Sequence, residues 1–246
     1  AEYLCPIHIV PYLTSKRINE RFGSKTVYFE LPVGIAGTTN FLRGVADLTG
    51  SNKLKEIADR EEKRSLPRFE KIKEQFRQKP TKALLVSGPA NETSMGKILA
   101  EFGAEVIIVP SMRNAFARQE QDILLKRYGS RIIFHENDFN KVSDLVSLYR
   151  PDVVFGDFQA RVEVIRDLIP CLINENYLNE YGYDYALDFG ENFFENLKQP
   201  FLLQEYIDTG NTDLRLIVVG DKVVASMRRK GRLDEKSSPL VTITAN

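Results

Sequence analysis

Four short apolar segments that alternate with helical stretches constrain the fold of this chain most. The segments cover residues 83–86, 106–109, 131–134 and 152–155. They are rich in β-branched residues and lack polar alternation, as is typical of strands that helices cover on both faces of a parallel sheet. We therefore predict an α/β, Rossmann-like three-layer fold with a parallel sheet of at least four strands.

The pattern changes before and after this alternation, which predicts three segments. Residues 1–80 are predicted to be an N-terminal helical or linker segment, with one or two long helices around Pro67. Residues 81–199 form the predicted Rossmann-like α/β domain, and residues 200–246 an antiparallel β-hairpin segment. The strands predicted in the last segment cover residues 201–207, 214–219 and 223–227.

The composition of the chain argues against several kinds of binding partner. Lys plus Arg and Asp plus Glu both number 34, so the net charge is near zero and no basic surface for nucleic acid is expected. No apolar run reaches the roughly 18–20 residues that span a bilayer, and we expect a cytoplasmic protein without membrane contact. The two cysteines, Cys5 and Cys171, cannot build a zinc site or a four-cysteine iron–sulfur site by themselves.

The loop after the first sheet strand is the first candidate binding site. It contains Gly88, Asn91 and Thr93 and leads into a helix, whose N-terminus favours anions. Loops at the carboxyl ends of parallel strands are also where open α/β sheets bind ligands. The loop lacks the glycine patterns of dinucleotide and P-loop sites, so it is either a binding loop or an ordinary turn.

Three further residues are candidates, each with a structural alternative. Asp157 follows the fourth strand and either faces a ligand or caps a helix. Glu175 follows a later strand and either approaches a ligand or stays solvated. Cys5 is a metal ligand, a reactive thiol or a small buried apolar side chain.

Residues 31–50 carry the most distinctive motif. A Pro-x-Gly turn is followed by a Thr-rich helix start, then Phe-Leu and Leu-Thr-Gly. With shorter matches in the same order, this motif makes residues 3–197 resemble the nitrogenase component 1 family, which includes nitrogenase subunits, cofactor-maturation scaffolds and dark protochlorophyllide reductases. The resemblance implies an oxidoreductase domain that holds a metallocluster or tetrapyrrole between domains. It also implies a homologous partner subunit and an ATP-driven iron–sulfur reductase as electron donor.

The departures from this family matter as much as the matches. The N-terminal domain whose cysteines bind an iron–sulfur cluster has no counterpart here, so any iron–sulfur or other metallocluster is expected to be shared with a partner. Cys5 falls near the position of the cofactor-ligating cysteine, but residues 174–176 lack the cofactor-binding histidine. The resemblance thus implies an incomplete domain that does not reduce dinitrogen. The alternative is a non-redox domain of the same fold that binds a small molecule or anion.

A second, shorter resemblance covers residues 201–229, which are similar to ATP-grasp ligases that modify ribosomal proteins. It implies that Glu205 lies by the nucleotide ribose and that Arg215 and Arg229 meet phosphates. The phosphate-covering loop and the acidic metal-binding strand of those ligases have no match. Without magnesium ligands no phosphoryl transfer is expected, so this reading gives a ligase remnant or a chimera.

Overall fold

The computed structural model describes most of the chain up to residue 198 and three strands beyond it. The described ranges are residues 2–8, 10–86, 91–136, 141–164, 167–173 and 181–198, and the backbone of 212–219, 222–230 and 240–244. The chain divides into two compact units, Ala1–Gln199 and Pro200–Asn246. The first unit contains a five-stranded and a two-stranded sheet, and the second unit contains a three-stranded sheet.

Helices and strands alternate through the first unit. In chain order they are β1 (Tyr3–Leu4), α1 (Tyr12–Phe22), β2 (Lys25–Thr26), α2 (Gly34–Thr49), α3 (Asn52–Gln78), β3 (Lys82–Leu85), α4 (Glu92–Phe102), β4 (Glu105–Ile108), α5 (Ala115–Tyr128), a 3-10 turn (Gly129–Arg131), β5 (Ile132–Phe134), α6 (Val142–Tyr149), β6 (Val153–Gly156), α7 (Phe158–Val164), β7 (Cys171–Ile173) and α8 (Tyr183–Asn196). Within the described ranges, no helix combines the length and apolar character that crossing a membrane requires.

The central sheet confirms the predicted topology. Strands β3 to β7 all pair in parallel in the order β5-β4-β3-β6-β7. The four predicted strands are present, and β7 adds a fifth. The strand order reverses between β3 and β6, which places a topological switch point between their carboxyl ends.

Helices cover both faces of this sheet, as the continuous apolar strands require. Leu85 and Phe155 belong to the larger core, which α2, α3, α4, α5 and α8 complete. Leu84 and Val154 belong to the smaller core, which α6 and α7 complete. Neighbouring residues of one strand thus face opposite layers, and the predicted three-layer arrangement is confirmed.

One uninterrupted helix, α3, runs over 27 residues through Pro67. A proline inside a helix removes one backbone hydrogen bond and costs roughly 3 kcal/mol. Ala58 before the proline and Ile72 and Phe76 after it are all buried. Burial on both sides of Pro67 therefore keeps the two halves in line.

The second unit is a three-stranded antiparallel sheet in the order β10-β9-β8. Its strands are β8 (Thr212–Val219), β9 (Lys222–Lys230) and β10 (Leu240–Thr244). The predicted hairpin corresponds to β8 and β9, whereas β10 had no sequence prediction. The strand predicted over residues 201–207 lies outside the described residues.

Candidate functional site

The carboxyl edge of the parallel sheet is where this fold brings separate loops together. After β3 comes the segment 87–90, which lies outside the described residues, and then Asn91 at the start of α4. After β4 comes Ser111, and after β6 comes Asp157. Because all five strands run in one direction, these loops meet at the same edge and flank the switch point.

His8, from the N-terminal segment, reaches this edge and fixes the orientation of the Asn91 amide. The Val10 N–H donates to His8 Nδ1 at 3.1 Å, so Nδ1 is an acceptor and Nε2 is left as the donor of the ring. Nε2 lies 3.5 Å from Asn91 Oδ1, which makes Asn91 the acceptor. The Asn91 NH2 group is then the free end, and it is buried without a hydrogen-bond partner.

Glu92, the next residue, is also incompletely paired. Its side chain is fully buried, and Oε1 accepts hydrogen bonds from the Ser111 N–H and Oγ–H, both at 2.6 Å. Its second oxygen, Oε2, has no partner. An unsatisfied buried polar group costs about 1–3 kcal/mol, and these two consecutive residues each carry one, a donor on Asn91 and an acceptor on Glu92.

The start of α4 has no side-chain cap. Asn91 makes no hydrogen bond to the first N–H groups of the helix, unlike Asn114, whose side chain accepts from the Ala117 N–H at 2.8 Å at the start of α5. Thr93, in the first turn of α4, is 2% exposed. The unpaired polar groups of Asn91 and Glu92 thus belong to the first residues of α4, where the helix N–H groups also lack a side-chain cap.

The other candidate residues from the sequence lie in different parts of the first unit or outside the described residues. Asp157 Oδ1 accepts a hydrogen bond from the Ala160 N–H at 2.8 Å, as a helix-capping residue does, and its role towards a ligand stays a prediction. Cys5 is partly exposed, and burial raises the pKa of its thiol. Gly88 and Glu175 lie outside the described residues, so their predicted roles stay predictions.

The candidates from the ligase resemblance belong to the second unit. Arg215 lies in β8 and Arg229 in β9, and the pairing of Asp213 with Arg229 and of Arg215 with Met227 puts both arginine positions on one face of the hairpin. Glu205 lies outside the described residues. The fold does not test the nucleotide contacts predicted for Glu205, Arg215 and Arg229.

A buried charge cluster beside the sheet gave no signal in the sequence. It consists of Glu30, Lys97, Glu101, Glu120 and Arg127. Lys97 Nζ lies 2.7 Å from Glu30 Oε1 and 3.3 Å from Glu120 Oε2, and its side chain is 1% exposed. Arg127 holds the other oxygen of Glu30 at 2.7 Å. Three carboxylates and two cations thus share one interior site.

This cluster fixes the backbone of the segment before α2. Lys97 Nζ donates to the Leu31 carbonyl at 3.0 Å, and the Leu31 N–H donates to Glu120 Oε1 at 2.8 Å. The Glu101 carboxylate accepts from the Ile35 and Ala36 N–H groups at 2.8 and 2.7 Å and so caps α2 from another helix. The cluster therefore explains the first part of the distinctive motif.

Two glycines of this motif are required by the cluster. Gly34 has φ +73°, and a Cβ there would lie 2.2 Å from Glu101 Oε2. A Cβ on Gly37 would lie 2.7 Å from Lys97 Nζ and 2.6 Å from the Leu31 carbonyl oxygen. Only residues without a side chain let the charged groups approach the backbone this closely.

The acids of the cluster have shifted pKa values. Burial works against ionisation of Glu30, but hydrogen bonds from Arg127 and the charge of Lys97 outweigh it and lower the pKa to about 2. Burial raises the pKa of Glu101, against the opposing effect of the Ala36 and Ile35 N–H groups. Burial also raises the pKa of Glu120, against Lys97. Glu30 is therefore the firmly ionised member.

The described part of the chain holds no cluster of potential metal ligands. Within those residues, no three or more His, Cys, Asp and Glu side chains converge to hold a metal ion. Cys171 is buried, and burial raises the pKa of its thiol to about 11.

Comparison with known proteins gives a match over most of the chain. The family model described as nitrogenase component 1 type oxidoreductase matches residues 5–198. A structure of nitrogenase Cp1 at pH 6.5 superposes with a TM-score of 0.58 and 18% identity, over 80% of this chain and 45% of that one. A structure of nitrogenase Cp1 at pH 5 gives 0.59 and 12%, over 81% and 47%. At these identities the superpositions show the fold alone, and the chain spans less than half of each nitrogenase chain.

A second match concerns the C-terminal part. A model described as a RimK-like ATP-grasp domain matches residues 187–239. A probable alpha-L-glutamate ligase of Ectopseudomonas mendocina (strain ymp) is 51% identical over 51 residues, which is 20% of this chain and 17% of the ligase. One of Pseudomonas savastanoi pv. phaseolicola (strain 1448A / Race 6) is 50% identical over 48 residues, 19% and 16% of the two chains. The similarity thus spans about a sixth of each ligase.

Proposed function

The chain belongs to the nitrogenase component 1 type oxidoreductase family, and we propose that residues 1–199 hold the redox group or substrate of such an oxidoreductase at the carboxyl edge of the sheet. In this family, electrons arrive from an ATP-driven iron–sulfur reductase, and a metallocluster or tetrapyrrole lies between domains. The role proposed for this chain is to bind and orient that group. Dinitrogen reduction is not part of the proposal, because residues 174–176 contain no histidine.

One observation carries the proposal: Asn91 and Glu92 bury an unpaired NH2 donor and an unpaired carboxylate oxygen at the switch point. A ligand that offers an acceptor to Asn91 and an O–H or N–H to Glu92 removes both desolvation penalties at once. The carboxyl groups, carbonyl groups and ring N–H groups of a tetrapyrrole include both kinds. His8 supports the arrangement by holding the Asn91 oxygen.

A metallocluster held by this chain alone does not fit the described residues. Cys5 is the nearest counterpart of a family ligand, and a single thiolate holds a cluster only together with other ligands. No other side chains in the described ranges complete a ligand set. In the proposal, any metal ligands therefore come from a homologous partner subunit, and no step of the reaction is assigned to a cluster here.

Titration with protoporphyrin IX, followed by the absorption of the pigment, tests the proposal. We expect saturable binding that Asn91→Ala and Glu92→Gln each weaken by about tenfold, since each removes one buried hydrogen bond. Asn114→Ala is the matched control, because it removes an asparagine whose side chain already caps a helix. Equal affinities for all four proteins would show that the pair does not contact the ligand.

Iron analysis and a visible spectrum after anaerobic co-expression with a family partner address the redox part. A coloured complex that contains iron or pigment supports an oxidoreductase. A colourless, metal-free complex that also leaves protoporphyrin unbound favours the alternative, a non-redox domain for a small molecule or anion. Inorganic phosphate, titrated while melting temperature is recorded, then tests that alternative, because specific binding raises the melting temperature.

The second candidate function concerns residues 200–246 and rests on the ligase similarity. A nucleotide-binding remnant is favoured by the register of β8 and β9, which puts Arg215 and Arg229 on one face as a shared phosphate contact requires. Magnesium-dependent transfer is not proposed. If ATP raises the melting temperature and Arg215→Ala with Arg229→Ala abolishes the rise, the remnant binds nucleotide. No rise at millimolar ATP excludes it.

A further inference from the structure

A cavity lies between the start of α5 and the exit of β5, at the same carboxyl edge of the sheet. Its volume is about 400 Å³, within the range of about 300–1,000 Å³ typical of small-ligand pockets. The described residues that line it are Pro110, Arg113, Arg118, Gln121, Asp122 and Glu136. None of them belongs to the pair at Asn91 and Glu92.

The cavity is lined by charges of both signs that do not neutralise each other. Arg113 and Arg118 supply two guanidinium groups, and Asp122 and Glu136 supply two carboxylates. Arg118 and Asp122 stand four residues apart on α5, a spacing at which opposite charges usually pair. Nevertheless, none of the four charged groups forms an ion pair within the described part of the chain.

Arg113 is held in place by the backbone rather than by an acid. Its guanidinium donates to the Glu136 carbonyl at 3.1 Å, which links the loop after β4 to the loop after β5 across the cavity. The remaining N–H groups of Arg113 are left to other acceptors. Pro110, also in the lining, is buried and has no backbone N–H of its own to offer an anion.

These charges select the class of ligand. A simple anion that meets both arginines also approaches two carboxylates, and a simple cation that meets the carboxylates approaches two guanidinium groups. A molecule with one carboxylate and one ammonium group satisfies both pairs. We propose that this cavity binds a free amino acid or a similar zwitterion, with its carboxylate on Arg113 and Arg118 and its ammonium on Asp122 and Glu136.

Matched ligands separate the two charges of the zwitterion in calorimetric titrations of the full chain. The probes are L-glutamine, N-acetyl-L-glutamine, which lacks the ammonium, and L-glutamine amide, which lacks the carboxylate. L-Glutamine is expected to bind, and each blocked derivative at least tenfold more weakly, because each loses one charged pair. The proposal fails if L-glutamine does not bind, or if either derivative binds as well as L-glutamine does.

Isosteric variants then locate the site. Arg118→Gln and Asp122→Asn are each expected to weaken L-glutamine binding at least tenfold. Lys126→Gln, on the same helix but outside the cavity lining, is the control and should bind like the parent chain. Because all three positions are exposed, thermal melting followed by circular dichroism should be unchanged. Binding that survives both cavity variants would place the ligand elsewhere and overturn the assignment.

Discussion

Replacing Lys97 with methionine tests whether the buried charge cluster holds the segment before α2. Methionine has a similar length but no charge, so the change removes the donor to Glu30, Glu120 and the Leu31 carbonyl. Breaking a buried ion pair by removing one partner typically costs 3–5 kcal/mol, because the other charge stays buried. We expect Lys97→Met to lower the free energy of unfolding by about 3–5 kcal/mol, measured by urea denaturation with circular dichroism.

A surface ion pair with the same N···O distance as Lys97 and Glu120 supplies the control. Lys82 Nζ lies 3.3 Å from Glu105, the distance that also separates Lys97 from Glu120, but the Lys82 and Glu105 side chains are 38% and 62% exposed. Exposed pairs contribute about 0–1 kcal/mol, so Lys82→Met should change stability by no more than that. Similar losses for Lys97→Met and Lys82→Met would refute the reasoning.

A double variant separates lost charge pairing from lost packing. Glu120→Gln keeps the oxygen that accepts from the Leu31 N–H but removes the negative charge beside residue 97. If the cost of Lys97→Met comes from an uncompensated carboxylate, adding Glu120→Gln should recover at least about 1 kcal/mol of it. Strict additivity of the two single changes would assign the loss to packing instead.

Three further predictions follow from backbone geometry and titration. Gly34→Ala should destabilise the fold by at least about 1 kcal/mol more than Gly50→Ala, as measured by urea denaturation. Both glycines have φ near +70°, but of the two only Gly34 faces a side chain within 4 Å. Equal losses of stability would contradict this. The pKa of Glu30 lies below its ordinary value, so ionised Glu30 adds about 3 kcal/mol to the free energy of unfolding above pH 4.5. This contribution is lost as the pH falls from 4.5 towards 2. The stabilities of the parent and of Glu30→Gln, measured in an acid titration, should therefore change differently over that window. Iodoacetamide at pH 8 should alkylate Cys5 well before Cys171, whose thiol has a pKa of about 11, and mass spectrometry after a short reaction would expose the reverse order.

The sheet could be predicted from the sequence because its strands are buried on both faces. Such strands are apolar throughout, and the four segments stand out from the helical stretches between them. Strand β7 was predicted only as a later strand before Glu175, because it is three residues long, and β10 was not predicted. Around Pro67, by contrast, the sequence does not decide between one helix and two, because local rules allow both.

The candidate site was predictable only in its position along the chain. The rule that ligands bind at the carboxyl ends of parallel strands pointed to Asn91, but not to Glu92 or His8. His8 lies 83 residues from Asn91, and no local pattern relates them. The buried atoms that mark the site become visible only when every hydrogen-bond partner is known.

The order of apolar segments and glycines along the chain determined the layers, the strand directions and the ends of several helices, because these depend on periodicity and on backbone freedom that each short stretch carries by itself. Tertiary structure alone decided that Lys97 is buried and that Glu30 meets Arg127, 97 residues away. A charged side chain is stable in the interior only beside its partners, and those partners come from distant parts of the chain. The interior charges and the unfilled polar groups at the sheet edge are therefore properties of the folded molecule.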